Sequence, residues 1–283
     1  MWMMSIRVIC IFAALLFSLP QARAGTLVQF RTALGDIEVE LYDQDKPVTV
    51  QNFLNYIKGG YYQNGFAHRL VPGFVLQGGG FEITSNTIYA IPTFPPIVDE
   101  YGVGKQYSNV FGTIAMAKNG TDTNSATSQW YFNLADNSFL DADTTNDLFC
   151  VFGHVISGTN VLNEFNSFQN WYGLPAPSPT NLVLNGYYSS PLDTLPVLSS
   201  NLPPTTNSFV FVDISLLQIG IQAVGSGRQI SWNSATGLTN IVEYTTNFST
   251  WNTLVATNGT GARMTVTDPA AAANRFYRVQ VIY

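Results

Sequence analysis

Three side chains with complementary chemistry stand close together in one segment of the sequence, AHRLVPGFVLQGGGF, which runs from Ala67 to Phe81. If the segment is a strand, Arg69 and Gln77 fall on the same face, and the turn pair Pro72-Gly73 kinks the strand and brings Phe74 round to them. The glycine run that follows allows close backbone approach. A polar fork beside an aromatic ring suits a neutral, hydrophobic ligand.

The same segment resembles the active-site strand of the cyclophilin-type peptidyl-prolyl isomerases, in which an arginine, a phenylalanine and a glutamine recur at this spacing. Met116 to Asp141, MAKNGTDTNSATSQWYFNLADNSFLD, resembles the second half of the cyclophilin pocket in its bacterial form. Val151 to Val155, VFGHV, follows at the distance expected for the next strand. Weaker similarity extends from Gly25 to about Gln218, so the resemblance covers most of the chain.

The resemblance implies a role for each residue of the predicted site. Arg69 corresponds to the catalytic arginine. The residues that would form the proline pocket and the neighbouring peptide groove are Phe74, Val75, Gln77, Met116, Ala117, Gln129, Tyr131, Phe139, Leu140 and Phe149. The implied mechanism needs no metal, cofactor, nucleophile or proton transfer, and we interpret His68 and His154 as structural histidines. Without the resemblance, a strand arginine would be interpreted as a surface charge and the apolar residues as core.

Three positions depart from the pattern of the family. Tyr131 stands where the family usually has phenylalanine, which places a hydroxyl at the pocket wall and leaves the strength of proline binding open. Phe139 stands where animal cytosolic members have tryptophan, and Phe149 where they have histidine, although bacterial secreted members commonly have an aromatic residue at both. Because Phe139 lacks the indole N–H that the tryptophan offers to cyclosporin, we expect weak cyclosporin binding.

Length and composition indicate a folded, β-rich protein with more than one domain. The 283 residues fit one medium domain and one small domain. A hydrophobic content of 46% with only 11% charged residues excludes a disordered chain. Of the two cysteines, Cys10 lies in the N-terminal segment described next, which leaves Cys150 alone, so no internal disulfide is expected in the mature chain.

The first 24 residues have the features of a secretory signal peptide. Arg7 is followed by an apolar run from Val8 to Phe17, by Pro20 and by the small-residue pattern Ala22-Arg23-Ala24, which predicts cleavage before Gly25. The apolar run is shorter than the ~20 residues that span a bilayer, so an uncleaved anchor is the minor alternative. We expect an exported protein, periplasmic or extracellular, with no membrane span after cleavage.

Cleavage would also change the charge of the protein. It removes two of the 12 basic residues and none of the 18 acidic ones, which gives the mature chain a net charge of −8. Nucleic acid carries dense negative charge and would be repelled by such a protein. We therefore expect no nucleic-acid partner.

Local patterns predict the elements that position the site. Alternation over residues 26–42 predicts a β-hairpin. Residues 47–58 begin with proline, have apolar residues at helical spacing and end before Gly59-Gly60, which predicts a helix. A second, weaker helix is predicted at 125–129 or at 160–166.

Two long stretches and one strand complete the predicted barrel domain. Residues 82–109 and 166–207 are long for connections, and we interpret them as insertions that either shape substrate access or, as the favoured alternative, decorate the barrel. Residues 209–218, FVFVDISLLQ, alternate between apolar and polar and predict the strand that closes the barrel.

After Gly220 the composition changes. Short strands separated by Gly, Asn, Asp and Thr are predicted at 229–232, 241–245, 251–255, 263–267 and 275–281. Strands of this length and spacing predict a small β-sandwich. The ending FYRVQVIY resembles all-β appendages of secreted bacterial proteins, and this resemblance supports attachment, sorting or ligand binding without choosing among them.

The sequence therefore predicts a mainly β protein in three parts. These are a signal peptide (1–24), a cyclophilin-like domain (25–218) and a small all-β C-terminal domain (219–283). The cyclophilin-like domain is expected to be an eight-stranded antiparallel β-barrel capped by two α-helices. The predicted activity is isomerisation of X-Pro bonds in unfolded or flexible proline-containing polypeptides, during folding of exported proteins. The alternative is a module that binds proline-containing loops without useful turnover and is tethered by its C-terminal domain.

Overall fold

The computed structural model describes residues 25–119, 122–141, 148–172, 181–201, 204–217, 219–234, 239–260, 263–269 and 274–282. The predicted signal peptide, residues 1–24, and Gln218, at the predicted domain boundary, lie outside the described residues. In the described part of the chain, no helix is long and apolar enough to cross a membrane.

The described residues form two α-helices, two short 3-10 helices and nineteen strands. The helices are α1 (Pro47–Lys58), α2 (Thr159–Asn166) and the 3-10 helices Ser138–Asp141 and Thr206–Ser208. The first thirteen strands are β1 (Leu27–Thr32), β2 (Gly35–Leu41), β3 (Arg69–Val71), β4 (Val75–Gly78), β5 (Phe81–Thr84), β6 (Thr87–Ala90), β7 (Thr113–Met116), β8 (Trp130–Asn133), β9 (Val151–Ser157), β10 (Gln169–Trp171), β11 (Leu182–Asn185), β12 (Thr194–Val197) and β13 (Asp213–Leu216). The remaining strands are β14 (Gly220–Val224), β15 (Gly227–Asn233), β16 (Thr239–Thr245), β17 (Asn252–Asn258), β18 (Arg263–Asp268) and β19 (Phe276–Ile282).

The main sheet contains eight strands in the order β13-β1-β2-β9-β7-β8-β4-β3, and every neighbouring pair is antiparallel. The sheet curls, and its two edges meet just ahead of β3 and β13. There the N–H of Ala67 donates to the carbonyl of Val210, and the N–H of Val212 donates to the carbonyl of Gly65, both at 2.9 Å. The predicted eight-stranded antiparallel barrel is confirmed as a curled sheet with edges joined by these bonds.

Helix α1 forms at the predicted residues and buries its apolar face against the sheet. Phe53 is fully buried, and its ring stacks on that of Phe30 of β1 with centroids 5.9 Å apart. The start of the helix is held by the carboxylate of Glu100, which accepts from the N–H groups of Val48 at 3.1 Å and Thr49 at 2.7 Å. A negative charge at a helix N-terminus satisfies otherwise unpaired N–H groups and favours the helix dipole.

The second helix lies at the later of the two predicted positions. Helix α2 covers Thr159–Asn166 and buries Val161 and Phe165, whereas residues 125–129 are not helical. Instead, Ala126 forms an isolated β-bridge with Ile97.

Both stretches that we interpreted as long connections contain regular structure. Residues 82–109 include most of the β5–β6 hairpin, and residues 166–207 include β10, β11 and β12, which form a three-stranded sheet. The two insertions share a second hydrophobic core that includes Ile83, Trp171 and Phe66. Strand β12 lies beside β3, so the larger insertion packs against the strand that carries Arg69. Strands of three or four residues are too short to give a clear periodic signal among prolines.

The strand that closes the barrel is shorter than predicted. Within the described residues 209–217, β13 covers Asp213–Leu216 and pairs with β1. Phe209 packs in the second core instead and forms a β-bridge with Val197. The alternating pattern of this segment is therefore shared between two sheets.

The C-terminal region contains two three-stranded antiparallel sheets, β14-β15-β18 and β17-β16-β19. They share a core that includes Ile230 and Trp232 of one sheet and Val242 of the other. The Trp232 indole donates to Oδ1 of Asn240 at 3.1 Å, which links the sheets by a buried hydrogen bond. The predicted sandwich is confirmed. The sequence did not indicate β14, because four of its five residues are exposed and give no alternation.

Candidate active site

Arg69 and Gln77 are brought together by the hairpin of β3 and β4 and not by a single kinked strand. They are direct partners in the register of that strand pair, so their side chains share a face. The chain reverses at Gly73, whose φ of +72° is in the left-handed region that glycine adopts without strain. The N–H of Phe74 closes the turn by donating to the carbonyl of Val71 at 2.9 Å.

A cavity of about 240 Å³ lies beside this hairpin. Eight predicted site residues line it, together with one residue that was not predicted, Lys118. The full lining is Arg69, Phe74, Val75, Gln77, Ala117, Lys118, Tyr131, Leu140 and Phe149. The walls are mainly apolar, and a guanidinium, an ammonium and a carboxamide are the polar side-chain groups among them. Such a cavity suits a neutral, largely apolar ligand with a few polar atoms.

Three predicted residues do not line the cavity. The prediction for Met116 is corrected, because its side chain is buried in the main core. Successive residues of a strand face opposite ways, and the neighbours Ala115 and Ala117 pack with the residues around the cavity. Gln129 accepts a hydrogen bond from Nε2 of Gln77 at 2.8 Å.

Phe139, the third of these residues, lies at the rim of the site. Its side chain is 63% exposed and stacks on Phe74 with centroids 5.9 Å apart and an interplanar angle of 19°. Phe139 therefore extends the aromatic wall from the cavity towards solvent.

The guanidinium of Arg69 is available to a ligand. It lies 5.7 Å from the centre of the Phe74 ring, and within the described residues it makes no hydrogen bond or ion pair. Partial burial lowers the pKa of Arg69, and the charge of Asp193 partly opposes that shift. Arginine remains protonated in proteins, so all five of its N–H donors can face the cavity or solvent.

His68, the residue before Arg69, is buried in the protein interior. Its side chain is 1% exposed and contacts the ring of Phe81 edge to face at 5.1 Å. Burial, with a smaller contribution from the charge of Arg69, lowers the pKa of His68 to about 4. The imidazole is therefore neutral near pH 7 and packed in the interior, which agrees with the interpretation of His68 as structural.

The hydroxyl of Tyr131 is bonded inside the protein. It donates to Oδ1 of Asn109 at 2.8 Å, and this bond is buried. Burial raises the pKa of Tyr131 well above its ordinary value, with a smaller contribution from the charge of Asp141. The tyrosine thus presents its ring to the cavity, as a phenylalanine would.

Two residues near the site were missed by the sequence analysis. Lys118 follows the predicted Ala117 directly; its nearly buried ammonium donates to the carbonyl of Leu148 and lies 5.1 Å from the centre of the Phe149 ring. Its adjacency to a predicted residue was a usable signal. Asp193 lies just ahead of β12 in the larger insertion, and no feature of the sequence connected that insertion to Arg69.

The cavity offers no set of metal ligands. Across the described ranges, no group of three or more His, Cys, Asp or Glu side chains could hold a metal ion.

Comparison with known proteins supports a family assignment. Residues 27–180 match the family model described as cyclophilin type peptidyl-prolyl cis-trans isomerase. A peptidyl-prolyl cis-trans isomerase of Acinetobacter baylyi is 40% identical over 178 residues, which are 62% of this chain and 91% of that protein. Peptidyl-prolyl cis-trans isomerase A of Dickeya dadantii is 40% identical over 148 residues, which are 52% of this chain and 75% of that protein.

One solved structure that is similar to part of this chain is also a cyclophilin. It is a cyclophilin type peptidyl-prolyl cis-trans isomerase of Cryptosporidium parvum, determined in the presence of the dipeptide Ala-Pro. That protein is 20% identical, the match covers 68% of this chain and 99% of that chain, and the TM-score is 0.44.

Proposed function

Because the chain belongs to the family of cyclophilin-type peptidyl-prolyl cis-trans isomerases and has their isomerase activity, we propose that Arg69 and the adjacent cavity isomerise X-Pro bonds in exported polypeptides. The observation that carries this proposal is the arrangement of Arg69. A guanidinium without a hydrogen-bond partner among the described residues borders a cavity with mainly apolar walls.

The reaction is a rotation about the peptide C–N bond. Rotation is resisted by ~18–20 kcal/mol, because nitrogen donates its lone pair into the carbonyl. A catalyst must weaken this donation in the transition state more than in either ground state. In our proposal, the guanidinium of Arg69 hydrogen-bonds the prolyl nitrogen as it becomes pyramidal, or stabilises the twisted amide.

The apolar walls must supply a large part of the effect. One charge-assisted hydrogen bond contributes about 1.5–3 kcal/mol net, which is about 10- to 150-fold in rate. Phe74, Val75, Tyr131 and Leu140 border the space beside Arg69 and would hold the proline ring in an apolar environment. Fixing the ring on one side of the bond while the guanidinium engages the nitrogen orients and desolvates the twisted amide.

The proposed substrates are proline-containing segments of unfolded or flexible polypeptides outside the cytoplasm. The N-terminal segment with Arg7, the apolar run and the Ala22-Arg23-Ala24 pattern supports export. N-terminal sequencing of the protein recovered from outside the cytoplasm is expected to begin at Gly25. Recovery of the chain only in the cytoplasm, with its first residues intact, would remove the exported-substrate part of the proposal.

Exchange spectroscopy by NMR on a prolyl tetrapeptide tests the role of Arg69. The wild-type protein should accelerate cis/trans exchange far beyond the uncatalysed time of about tens to hundreds of seconds. Arg69→Ala should stay folded and lose about 10- to 150-fold in rate. The matched control is Arg31→Ala, which removes a strand arginine paired with Asp36 at 3.2 Å in the β1–β2 hairpin.

Two outcomes would contradict the proposal. Wild-type turnover in a folded Arg69→Ala protein would exclude the arginine from the mechanism. Binding of the peptide by the wild-type protein without faster exchange would instead favour the proline-binding module.

A further inference from the structure

One buried amide connects much of the cavity wall. Asn109 is fully buried, and its side-chain oxygen accepts from the hydroxyl of Tyr131 at 2.8 Å and from Nδ2 of Asn133 at 3.1 Å. Its side-chain nitrogen donates to Oδ1 of Asp141 at 2.8 Å and to the carbonyl of Phe149 at 3.1 Å. A carboxamide has two donors and two acceptor sites, so this side chain is fully satisfied.

The partners of Asn109 belong to three separate segments of the chain. Tyr131 is on β8, Asp141 ends the 3-10 helix that carries Leu140, and Phe149 lies shortly before β9. Tyr131, Leu140 and Phe149 all line the cavity, and the rings of Tyr131 and Phe149 meet edge to face at 5.9 Å. The side chain of Asn109 therefore bridges the segments whose spacing sets the width of the cavity.

Backbone bonds tie Asn109 itself to the same wall. Its N–H donates to Oδ1 of Asp141 at 3.0 Å, and its carbonyl accepts from the N–H of Asn137 at 2.8 Å. Asn137 is also nearly buried and donates through Nδ2 to the carbonyl of Phe74 at 2.8 Å. The network thus reaches from Tyr131 to the turn that carries the aromatic ring beside Arg69.

We infer that Asn109 is a positioning residue, which fixes the shape of the proline-binding cavity and takes the Tyr131 hydroxyl as a structural partner. This inference rests on the proposed function, because it assigns the cavity to a prolyl ring. Asn109 does not line the cavity and cannot touch the reacting bond. Its loss should weaken peptide binding while leaving the step that Arg69 assists almost unchanged.

The test separates binding from turnover on the enzyme. NMR titration gives the Kd of the full chain for a prolyl tetrapeptide, and exchange spectroscopy at saturation gives the exchange rate of the bound peptide. We expect Asn109→Ala to raise the Kd about tenfold and to change the bound exchange rate by less than about twofold, since the binding surface and not the guanidinium is altered.

The matched control is another buried asparagine that, among the residues the structure describes, does not line the cavity and makes no hydrogen bond to a residue that does. Asn52 on α1 is 6% exposed and donates to the carbonyl of Thr127 at 2.7 Å. Asn52→Ala should lower stability through the same kind of loss, yet leave the Kd unchanged. A general effect of removing any buried amide would raise the Kd in both variants and would overturn the inference.

Tyr131→Phe keeps the test decisive if Asn109→Ala does not fold. It removes only the hydroxyl bonded to Asn109, and we expect the Kd to rise about threefold, with a smaller change in the bound exchange rate. In the Asn109→Ala/Tyr131→Phe double variant, the Kd should rise by less than the product of the two single effects. Both substitutions remove the same hydrogen bond, between the Tyr131 hydroxyl and Asn109.

Two results would overturn the inference. One is a wild-type Kd in a folded Asn109→Ala protein or in Tyr131→Phe. The other is a fall of the bound exchange rate comparable to that of Arg69→Ala. Failure of the proposed function appears differently, as uncatalysed exchange of the peptide bound to the wild-type protein, and the Kd comparison still tests Asn109 in that case.

Discussion

The β3–β4 hairpin supplies the arginine side of the cavity, Arg69, Phe74 and Gln77, whereas Tyr131, Leu140 and Phe149 form the other side, which we call the asparagine side. On the asparagine side, the Tyr131 hydroxyl and the backbone carbonyl of Phe149 are satisfied by Asn109 within the protein. On the arginine side, the described residues leave the guanidinium unbonded. The unbonded guanidinium therefore lies on the arginine side, whereas the Lys118 ammonium beside Phe149 already donates to the carbonyl of Leu148.

This difference separates two tasks. A saturated, buried hydrogen-bond network resists rearrangement, because any broken bond leaves a polar group unpaired in the interior. Such a wall keeps its shape while a proline ring enters. Free donors on the arginine side can instead follow the amide as it twists. Substitution of Asn109 or Tyr131 should thus mainly change affinity, and substitution of Arg69 should mainly change turnover.

The largest expected effect is a loss of stability at acidic pH, caused by the buried His68 next to Arg69 in the sequence. The pKa of His68 in the folded protein is about 4, below its ordinary value, so the unfolded chain binds the proton more readily. The free energy of unfolding is therefore highest above about pH 6.5 and falls as the pH decreases towards 4. This one group accounts for a loss of up to about 3 kcal/mol. Urea unfolding at several pH values between 4 and 7 measures the loss.

His68→Gln should flatten this pH dependence, since glutamine does not titrate. The control is His154→Gln, which removes the half-exposed second histidine and should leave the decline between pH 6.5 and 4 in place. If the free energy of unfolding of the His68→Gln protein declines as much as that of the wild type, titratable groups other than His68 cause the decline.

Much of the arginine side could be predicted, because its residues are close in sequence. Arg69, Phe74 and Gln77 occupy one hairpin, and the family resemblance assigned their roles. Only the hairpin itself was misjudged as a kinked strand, since Pro72-Gly73 is compatible with either. The curled sheet followed from the family resemblance, whereas α1 and the C-terminal sandwich followed from helical spacing, alternation and turn residues.

The asparagine side and the insertions were harder to predict for a physical reason. Asn109 is 22 residues from Tyr131, 32 from Asp141 and 40 from Phe149, and only the folded chain brings their polar groups together. A single buried asparagine has no periodic signal. Asp193 reaches Arg69 by way of the packing of β12 beside β3, which depends on a core shared by two insertions.

A smaller effect is expected at the rim of the arginine side. Phe139 stacks on Phe74 but offers no donor, so Phe139→Trp adds an indole N–H at an exposed position. One neutral hydrogen bond contributes about 0.5–1.5 kcal/mol, so cyclosporin should bind about 2- to 12-fold more tightly. Peptide turnover should change by less than about twofold. Isothermal titration with cyclosporin and the tetrapeptide assay measure the two effects.

Phe139→Leu is the control for this substitution, because it alters the side chain without adding a donor and should not tighten cyclosporin binding. If Phe139→Trp binds the drug no better than the wild-type protein, then Tyr131 or the insertions control drug access. Drug binding at the rim would then not depend on residue 139.

The smallest effect is expected from removing the C-terminal sandwich, because both sides of the cavity come from residues 69–149. The sandwich has its own core around Trp232, and β13 already closes the curled sheet. Residues 25–218 alone should therefore fold and turn over a tetrapeptide at the wild-type rate, whereas residues 219–283 should have no activity. Circular dichroism and the exchange assay test both. An unfolded or inactive fragment 25–218 would show that the sandwich completes the first domain, and that the cavity depends on more than its two sides.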